Sequence, residues 1–346
     1  MVSQVEWVYT DGGADGSGGP SRFMAQWEHE VIGRSRSTSS DHVVGSAMQL
    51  RAVRPIAVEK DAAVMQRLEA LCKRGLSPSA LGTWLRCPLD FYFRYILGIR
   101  ETEVADGTLG SDVLGDAVHH VLQQLMTPFV GQPIAPTDVA TMVARVPDLL
   151  IDRLAERFPR KTLEHGHFRL RREMAGKSLE TYLEAEQERC GKTSTRILAV
   201  EHEVQGVLSN GVLLKGRCDR IDVRDGLTMV LDVKTGSVRA EDLRLADLSC
   251  DSIGPGQRYA LQLLIYVWAY LQQHPEVEQI SSGVIPLQRA KQAEGEFLKV
   301  GSSTILRREQ LADMGSLLAT LVDELLDPAP PFRHDPESTY CSCCVG

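Results

Sequence analysis

The sequence lacks an apolar run long enough to cross a membrane. Its longest apolar stretch, Ala260 to Leu271, is interrupted by Gln262 and spans about a dozen residues, whereas a membrane helix needs about 20. The N-terminal residues, MVSQVEWVYTDGG, have neither the basic flank nor the apolar run of a signal peptide. These absences argue against a membrane or secreted protein and predict a cytoplasmic location without a membrane partner.

A large excess of basic residues is also missing. The 38 Lys and Arg are outnumbered by 46 Asp and Glu, so the formal net charge is -8. This balance argues against a protein that coats nucleic acid non-specifically, because phosphate contacts need Lys and Arg. The segment 153–172, RLAERFPRKTLEHGHFRLRR, is either a local basic path for nucleic acid or a solvated helix face. No G-x-x-x-x-G-K-[ST] motif occurs, so no P-loop ATPase is encoded.

Cysteines are few and unevenly spaced, with eight in 346 residues. They are too sparse for a disulfide-stapled scaffold, so most are predicted to be reduced thiols. Three of them, Cys341, Cys343 and Cys344, crowd into one short segment, and Cys87 lies far upstream. Such placing is typical of a metal or cluster site, and unliganded thiols are the alternative.

The sequence changes character near residue 70. Residues 1–70 contain the Gly-rich DGGADGSGGPS and show weak periodicity, which favours a linker or the remnant of a larger region. From Leu76 the pattern sharpens, with Ser77 as a predicted N-cap, Pro78 at the first helical position and a break at Pro88. An amphipathic helix with His119 on its flank follows, and residues 140–190 are predicted to be mostly helical.

Three strand candidates come next, starting near residues 197, 211 and 227. Asn-Gly and Asp-Gly turn signals separate them, which predicts an antiparallel meander. A long apolar helix over about 257–272 and a short strand near 283–287 follow. The fold class predicted is α/β (α+β), with one mixed central sheet flanked by helices.

The chemistry is concentrated in LDVKTG at 231–236. Alternation along a strand puts Asp232 and Lys234 on one face and Val233 on the other. The carboxylate can bind a divalent metal while the lysine orients or helps deprotonate water, although an exposed ion pair is the alternative. If the Asp-Gly turn pairs the strands, Asp219 falls beside Asp232, and a raised pKa or a bound cation must relieve their repulsion. A solvated strand end with local ion pairs is the other interpretation of Asp219.

Other polar residues could complete such a site. His119 is a candidate third ligand or an ordinary helix histidine. Gln262 and Tyr266 are one helical turn apart in an apolar stretch, so they are either functional or a hydrogen-bonded pair in the core. Glu201 is a candidate ligand or supporting group, but its position favours a surface charge.

Five ordered segments resemble a known family. They are LSPSALGTWLRCPLDFYFRYILGI, GDAVHHVL, LKGRCDRIDV, MVLDVKTG and QLLIYVWAY. In this order they resemble the nuclease domain of the RecB and AddB group of the PD-(D/E)xK superfamily. The resemblance implies a restriction-endonuclease-like core over residues 76–346, with a helical insertion at about 126–195.

The resemblance also implies a role for each matching residue. His119, Asp219 and Asp232, helped by the backbone carbonyl of Val233, would bind Mg²⁺ or Mn²⁺. Lys234 would position the attacking water. Gln262 and Tyr266 match the Q-x-x-x-Y element, which lies beside the active site and approaches the DNA backbone. The implied reaction is hydrolysis of a phosphodiester bond.

The family resemblance extends to partners and to a second metal group. The segment PSRFMAQWEHEV at 20–31 resembles the region before the nuclease in AddB-like helicase-nucleases, so residues 1–70 would be the tail of an inactivated helicase region and a helicase would be a partner. Many members hold a 4Fe-4S cluster on four cysteines. Cys87, Cys341 and Cys344 match three of them, so the ligand set here is incomplete; Cys343 as a substitute and a zinc site stay open.

The function implied is a metal-dependent deoxyribonuclease, an exonuclease of DNA double-strand break repair and recombination. Two alternatives remain. One is a catalytically inactive nuclease-like module that binds DNA or scaffolds a helicase complex, although Asp219, Asp232 and Lys234 are all present. The other is a free-standing nuclease of CRISPR adaptation or phage type, against which the 20–31 segment argues.

Overall fold

A computed structural model of the chain describes residues 56–99, 109–289, 295–336, 338 and 341, together with 23, 26, 29 and 30. The chain divides into two compact units, Met1–Val53 and Arg54–Gly346. In the first unit the four described residues are helical, and the Gln26 side chain donates to the Glu30 carboxylate at 3.0 Å. Most of the predicted linker or helicase remnant therefore lies outside the described residues.

The helix predicted to follow Ser77 begins at Pro78, as the sequence predicts. Ser77 caps its helix by accepting a hydrogen bond from the Ala80 amide, and Pro78 opens the first turn. That helix ends before Pro88, which starts the next one, because proline cannot continue the hydrogen-bond ladder of the preceding turn. The helices are, in chain order, α1 (Ala62–Arg74), α2 (Pro78–Arg86), α3 (Pro88–Phe91), α4 (Ser111–Met126), α5 (Pro136–Val143), α6 (Val146–Ala155), α7 (Arg160–Leu163), α8 (Gly166–Cys190), α9 (Arg258–Gln273) and α10 (Leu311–Leu326).

Helix positions also bear on the predicted domain organisation. Helix α1 crosses the boundary predicted near residue 70, and helices α5 to α8 fall within the segment predicted as a helical insertion. A five-residue π-helix, Tyr92–Ile96, follows α3. Among the described residues no helix combines the length and the apolar character that crossing a membrane requires.

The strands of the described chain are β1 (Ala57–Val58), β2 (Thr195–Val207), β3 (Leu213–Arg224), β4 (Leu227–Lys234), β5 (Arg244–Leu245), β6 (Gln279–Pro286), β7 (Glu296–Phe297), β8 (Lys299–Val300), β9 (Ile305–Arg307) and β10 (Phe332–Arg333). The central sheet has six of them. Its order is β2-β3-β4-β6-β7, with β9 also paired to β6. Strands β2, β3 and β4 are antiparallel, whereas β4 and β6 are parallel.

A two-residue turn fixes the register of the two strands that carry the site. Asp225 and Gly226 have φ values of 47° and 87°, as a type I′ hairpin turn requires. The turn pairs Arg224 with Leu227 and sets the ladder back to Arg220 and Leu231. The antiparallel meander predicted from the Asn-Gly and Asp-Gly signals is present.

Helices cover both faces of this sheet. Side chains alternate along β4, so Val230 joins the core that contains α2 and α9, whereas Leu231 and Val233 join the core that contains α4, α6 and α8. Helix α9 is almost wholly buried from Ala260 to Leu271, which explains why its sequence is apolar on every side. The mixed sheet flanked by helices confirms the predicted fold class.

Candidate active site

Strand β4 places the Asp232 carboxylate and the Lys234 ammonium group next to each other. Asp232 and Lys234 share the face opposite Val233, and Lys234 Nζ lies 2.8 Å from Asp232 Oδ2. Asp232 is only 2% exposed. Its Oδ2 atom is buried, and the Lys234 ammonium group is its close partner. Asp232 and Lys234 thus form an ion pair at the end of β4.

Asp219 reaches the same place from β3. The β3–β4 ladder ends at the pair Arg220 and Leu231, and Asp219 lies one residue beyond it. There its Oδ2 accepts a hydrogen bond from the Val233 amide at 2.5 Å. The two carboxylates thus meet at the end of the paired strands, as the turn signal predicted.

His119 and Glu201 complete a cluster with Asp219. His119 Nδ1 on α4 lies 3.1 Å from Asp219 Oδ1 and 3.9 Å from Glu201 Oε1. One ligand atom from each of the three residues lies within 4.8 Å of the others. Oxygen and imidazole donors in this arrangement suit a divalent metal. Asp232 stands beside this group and is not one of its three members.

The sequence leaves Glu201 as a candidate ligand but favours a surface charge, and the structure places Glu201 beside His119 and Asp219. Its side chain is only 12% exposed, and its φ of 49° is rare for a strand residue other than glycine. On β2 it lies between Val200 and His202, which pair with Arg220 and Cys218 on β3. This register sets Glu201 opposite Asp219, and no local pattern in the sequence reveals it.

Burial and like charge perturb the titrating groups of the site. Burial, with the charge of Asp219, raises the pKa of Asp232 to about 6 against the attraction of Lys234. Burial also raises the pKa of Glu201, helped by the charge of Asp219. Burial would lower the pKa of His119, but its hydrogen bond to Asp219 and the surrounding carboxylates outweigh burial and raise it. The carboxylates repel one another, and a bound cation would relieve that repulsion.

The Gln262 and Tyr266 side chains form a hydrogen-bonded chain that ends on Asp232. The Gln262 amide donates to Asp232 Oδ1 at 2.8 Å and contacts the Tyr266 hydroxyl at 2.8 Å. Tyr266 is 4% exposed, so in this structure it acts on Asp232 through Gln262. Gly216 of β3 leaves room for the ring, because a Cβ atom there would lie 2.5 Å from Tyr266 Cε1.

At the start of α9, Tyr259 adjoins Lys234, and Arg258 contacts Tyr259. Lys234 Nζ lies 5.7 Å from the centre of the Tyr259 ring. The Arg258 guanidinium lies 4.6 Å from the same ring, and its Nη2 donates to the Tyr259 hydroxyl at 2.9 Å. Neither residue was singled out from the sequence, because only the tertiary fold brings the start of α9 to the end of β4.

The basic segment 153–172 is largely engaged in local pairs. Arg153 contacts Asp116 and Glu156, Arg160 contacts Asp152, and Arg169 contacts Glu173. Arg171 donates to the Leu109 carbonyl and to Ser111 at the start of α4. These contacts favour the interpretation of a solvated helix face that also braces α4.

A second group of possible metal ligands involves two of the predicted cysteines. One ligand atom each of Cys87, His334 and Cys341 lies within 4.8 Å of the others. Cys343 and the predicted ligand Cys344 fall outside the described residues. His334 was not among the predicted ligands.

The relationship of the chain to known proteins agrees with the site that β3, β4 and α4 build. No curated protein matches the chain significantly. The family described as the PD-(D/E)XK nuclease superfamily matches residues 75–345, a range that includes His119, Asp219, Asp232 and Lys234. This match spans well over half of the sequence, and the chain therefore belongs to the PD-(D/E)XK nuclease superfamily.

Proposed function

We propose that this protein is a metal-dependent deoxyribonuclease of the RecB and AddB group, acting as a cytoplasmic exonuclease with a helicase partner in double-strand break repair. The observation that carries the proposal is the meeting of Asp232 and Lys234 with His119, Glu201 and Asp219 at the end of paired strands. Membership of a nuclease superfamily supports the reaction class. The five ordered sequence segments support the choice of group within it.

The metal proposed is Mg²⁺ or Mn²⁺. The proposed donors are the Asp219 and Glu201 carboxylates and the His119 imidazole, with the Asp232 carboxylate beside them. Such hard donors favour these cations over thiophilic metals. The Val233 carbonyl is a further proposed ligand, since the Val233 amide already anchors Asp219. When bound, the cation supplies activation of water and neutralises charge on the phosphate.

The protein side chains would orient the reactants. In the proposed hydrolysis water gives up a proton as its oxygen bonds to phosphorus. The bond from phosphorus to the leaving oxygen breaks, and the leaving oxygen takes up a proton. Lys234 is fixed by Asp232 and adjoins Tyr259, so its ammonium group would orient the water and donate to a phosphate oxygen. Gln262 holds the Asp232 carboxylate through a 2.8 Å hydrogen bond and acts as a positioning residue.

Degradation of end-labelled linear DNA tests this proposal. Single- and double-stranded DNA are incubated with Mg²⁺ or EDTA and wild-type protein, Asp232→Asn or the control Asp313→Asn. Asp313 is exposed on α10. We expect Mg²⁺-dependent cleavage by the wild type and the control. We expect a loss of at least about a hundredfold in Asp232→Asn, the scale seen when one electrostatic group leaves an active site.

Two additional substrates, assayed in parallel, test the exonuclease mode and the preference for DNA separately. Resistance of circular DNA to cleavage would support an exonuclease, and RNA of the same sequence measures the preference for DNA. Cleavage that persists in EDTA, or that Asp232→Asn leaves unchanged, would contradict the proposed site. DNA binding without cleavage by any variant would point to an inactive binding module.

A further inference from the structure

We propose that Cys87, His334 and Cys341 bind one zinc ion, with His334 as a ligand. The donors are two thiols and one imidazole, the ligand types that zinc takes in tetrahedral sites. The proposal does not depend on the nuclease reaction. It also differs from the four-cysteine cluster that the family resemblance implies, because an imidazole stands among the described donors.

The spacing of the donor atoms fits a single metal ion. Cys87 Sγ lies 3.5 Å from His334 Nδ1, and the three donor atoms are all within 4.8 Å of one another. In a zinc tetrahedron with bonds of about 2.3 Å to sulfur and about 2.0 Å to nitrogen, these ligand atoms are about 3.5 Å apart. In a four-iron cluster each cysteine binds a different iron, so its ligand sulfurs must spread further apart. The 3.5 Å separation of Cys87 Sγ and His334 Nδ1 matches the compact case.

The fold holds the donors from two directions. Cys87 is fully buried at the junction of α2 and α3, where its amide donates to the Thr83 carbonyl at 2.9 Å. His334 directly follows β10, which pairs with β1, and Phe332 of β10 packs on the Phe91 ring. Backbone pairing and aromatic packing thus hold the segments that carry Cys87 and His334 next to each other.

Cys341 brings the C-terminal segment to this junction. The Ser338 hydroxyl lies 3.0 Å from Cys341 Sγ, at a distance from which it can donate to a metal-bound thiolate and orient it. A zinc ion would therefore link the C-terminal segment to the junction of α2 and α3. We expect the ion to stabilise the folded chain, because a preformed site binds metal in the folded state and not in the unfolded one.

Metal analysis of the purified full chain tests the proposal. The wild type, His334→Ala, His334→Cys and the control His167→Ala are compared for zinc, iron and acid-labile sulfide. His167 is exposed on α8. We expect about one zinc per chain in the wild type and the control, and zinc affinity weakened at least about tenfold in His334→Ala. His334→Cys should restore zinc binding, because a thiolate replaces the imidazole as ligand.

Two further measurements separate binding from folding. A zinc chelator should lower the melting temperature of the wild type and of His167→Ala, and it should have little effect on His334→Ala. Circular dichroism establishes that His334→Ala is folded. Iron and sulfide in place of zinc, unchanged by His334→Ala, would overturn the proposal in favour of a four-cysteine cluster. A wild-type chain that binds neither metal when zinc is supplied would overturn it in favour of hydrogen-bonded thiols.

Discussion

A buried ion-pair network behind the active site gives the sharpest prediction of stability. Glu186 of α8 is fully buried, and its carboxylate lies 2.5 Å from Arg189 and 2.6 Å from Arg220. Arg220 is the residue after Asp219 on β3, so the network fixes the strand that carries the site. Burial alone would raise the pKa of Glu186, but the charges of Arg220 and Arg189 outweigh it and lower the pKa to about 2.

The magnitude follows from linkage between protonation and folding. The ordinary pKa is 4.5 and the folded value is about 2, and each pH unit of difference corresponds to about 1.4 kcal/mol. The ionised Glu186 therefore contributes about 3 kcal/mol to the free energy of unfolding. Because the folded pKa is the lower one, this contribution is complete above pH 4.5 and is lost as the pH falls toward 2. Less than about half of it remains at pH 3.

The perturbation is Glu186→Gln, measured by urea denaturation at pH 7 and at pH 3. We expect the variant to be less stable than the wild type by about 3 kcal/mol at pH 7, and by less than half of that at pH 3. Other carboxylates titrate equally in both proteins, so the difference isolates Glu186. Glu173→Gln is the matched control on the same helix, because Glu173 forms an exposed pair with Arg169 and should change stability by less than about 0.5 kcal/mol.

Two results would refute this reasoning. If Glu186→Gln loses the same free energy at pH 7 and at pH 3, then the loss comes from packing and not from charge. If it is no more destabilising than Glu173→Gln, the network contributes nothing measurable.

Two further predictions concern the surroundings of Asp232 and Lys234. Gly216→Ala should lower the free energy of unfolding, measured by urea denaturation, by about 1 to 3 kcal/mol, because the new Cβ would lie 2.5 Å from Tyr266 Cε1. The control Gly256→Ala, with open space around it, should change that free energy by less than about 0.5 kcal/mol. Equal losses in the two variants would contradict the close approach of Gly216 and Tyr266. Tyr259→Leu should slow DNA cleavage about fivefold, because it removes the aromatic ring beside Lys234. Tyr259→Phe keeps the ring and should keep most of the rate. Equal rates for the two variants would show that the ring does not position Lys234.

Local sequence signals determined the elements on which the site stands. The Asp-Gly turn fixes the β3–β4 register, and strand alternation then puts Asp232 and Lys234 on one face. Ser77 and Pro88 set helix boundaries through a cap and a missing amide. These features depend on residues that are close together in the chain, so they can be predicted from local sequence patterns. The order of the five sequence segments, in addition, carries the resemblance to a nuclease family.

Contacts between distant segments were decided by the tertiary structure alone. Glu201 became a site residue because the β2 register sets it opposite Asp219, and Tyr259 because α9 starts beside the end of β4. His334 meets Cys87 across 247 positions of sequence. No periodicity or turn signal encodes such a meeting, because it depends on how buried helix and sheet faces pack together. By itself the sequence determined the antiparallel meander, its turns and the pairing of Asp232 with Lys234 on one face of β4, and packing decided which other side chains lie beside them.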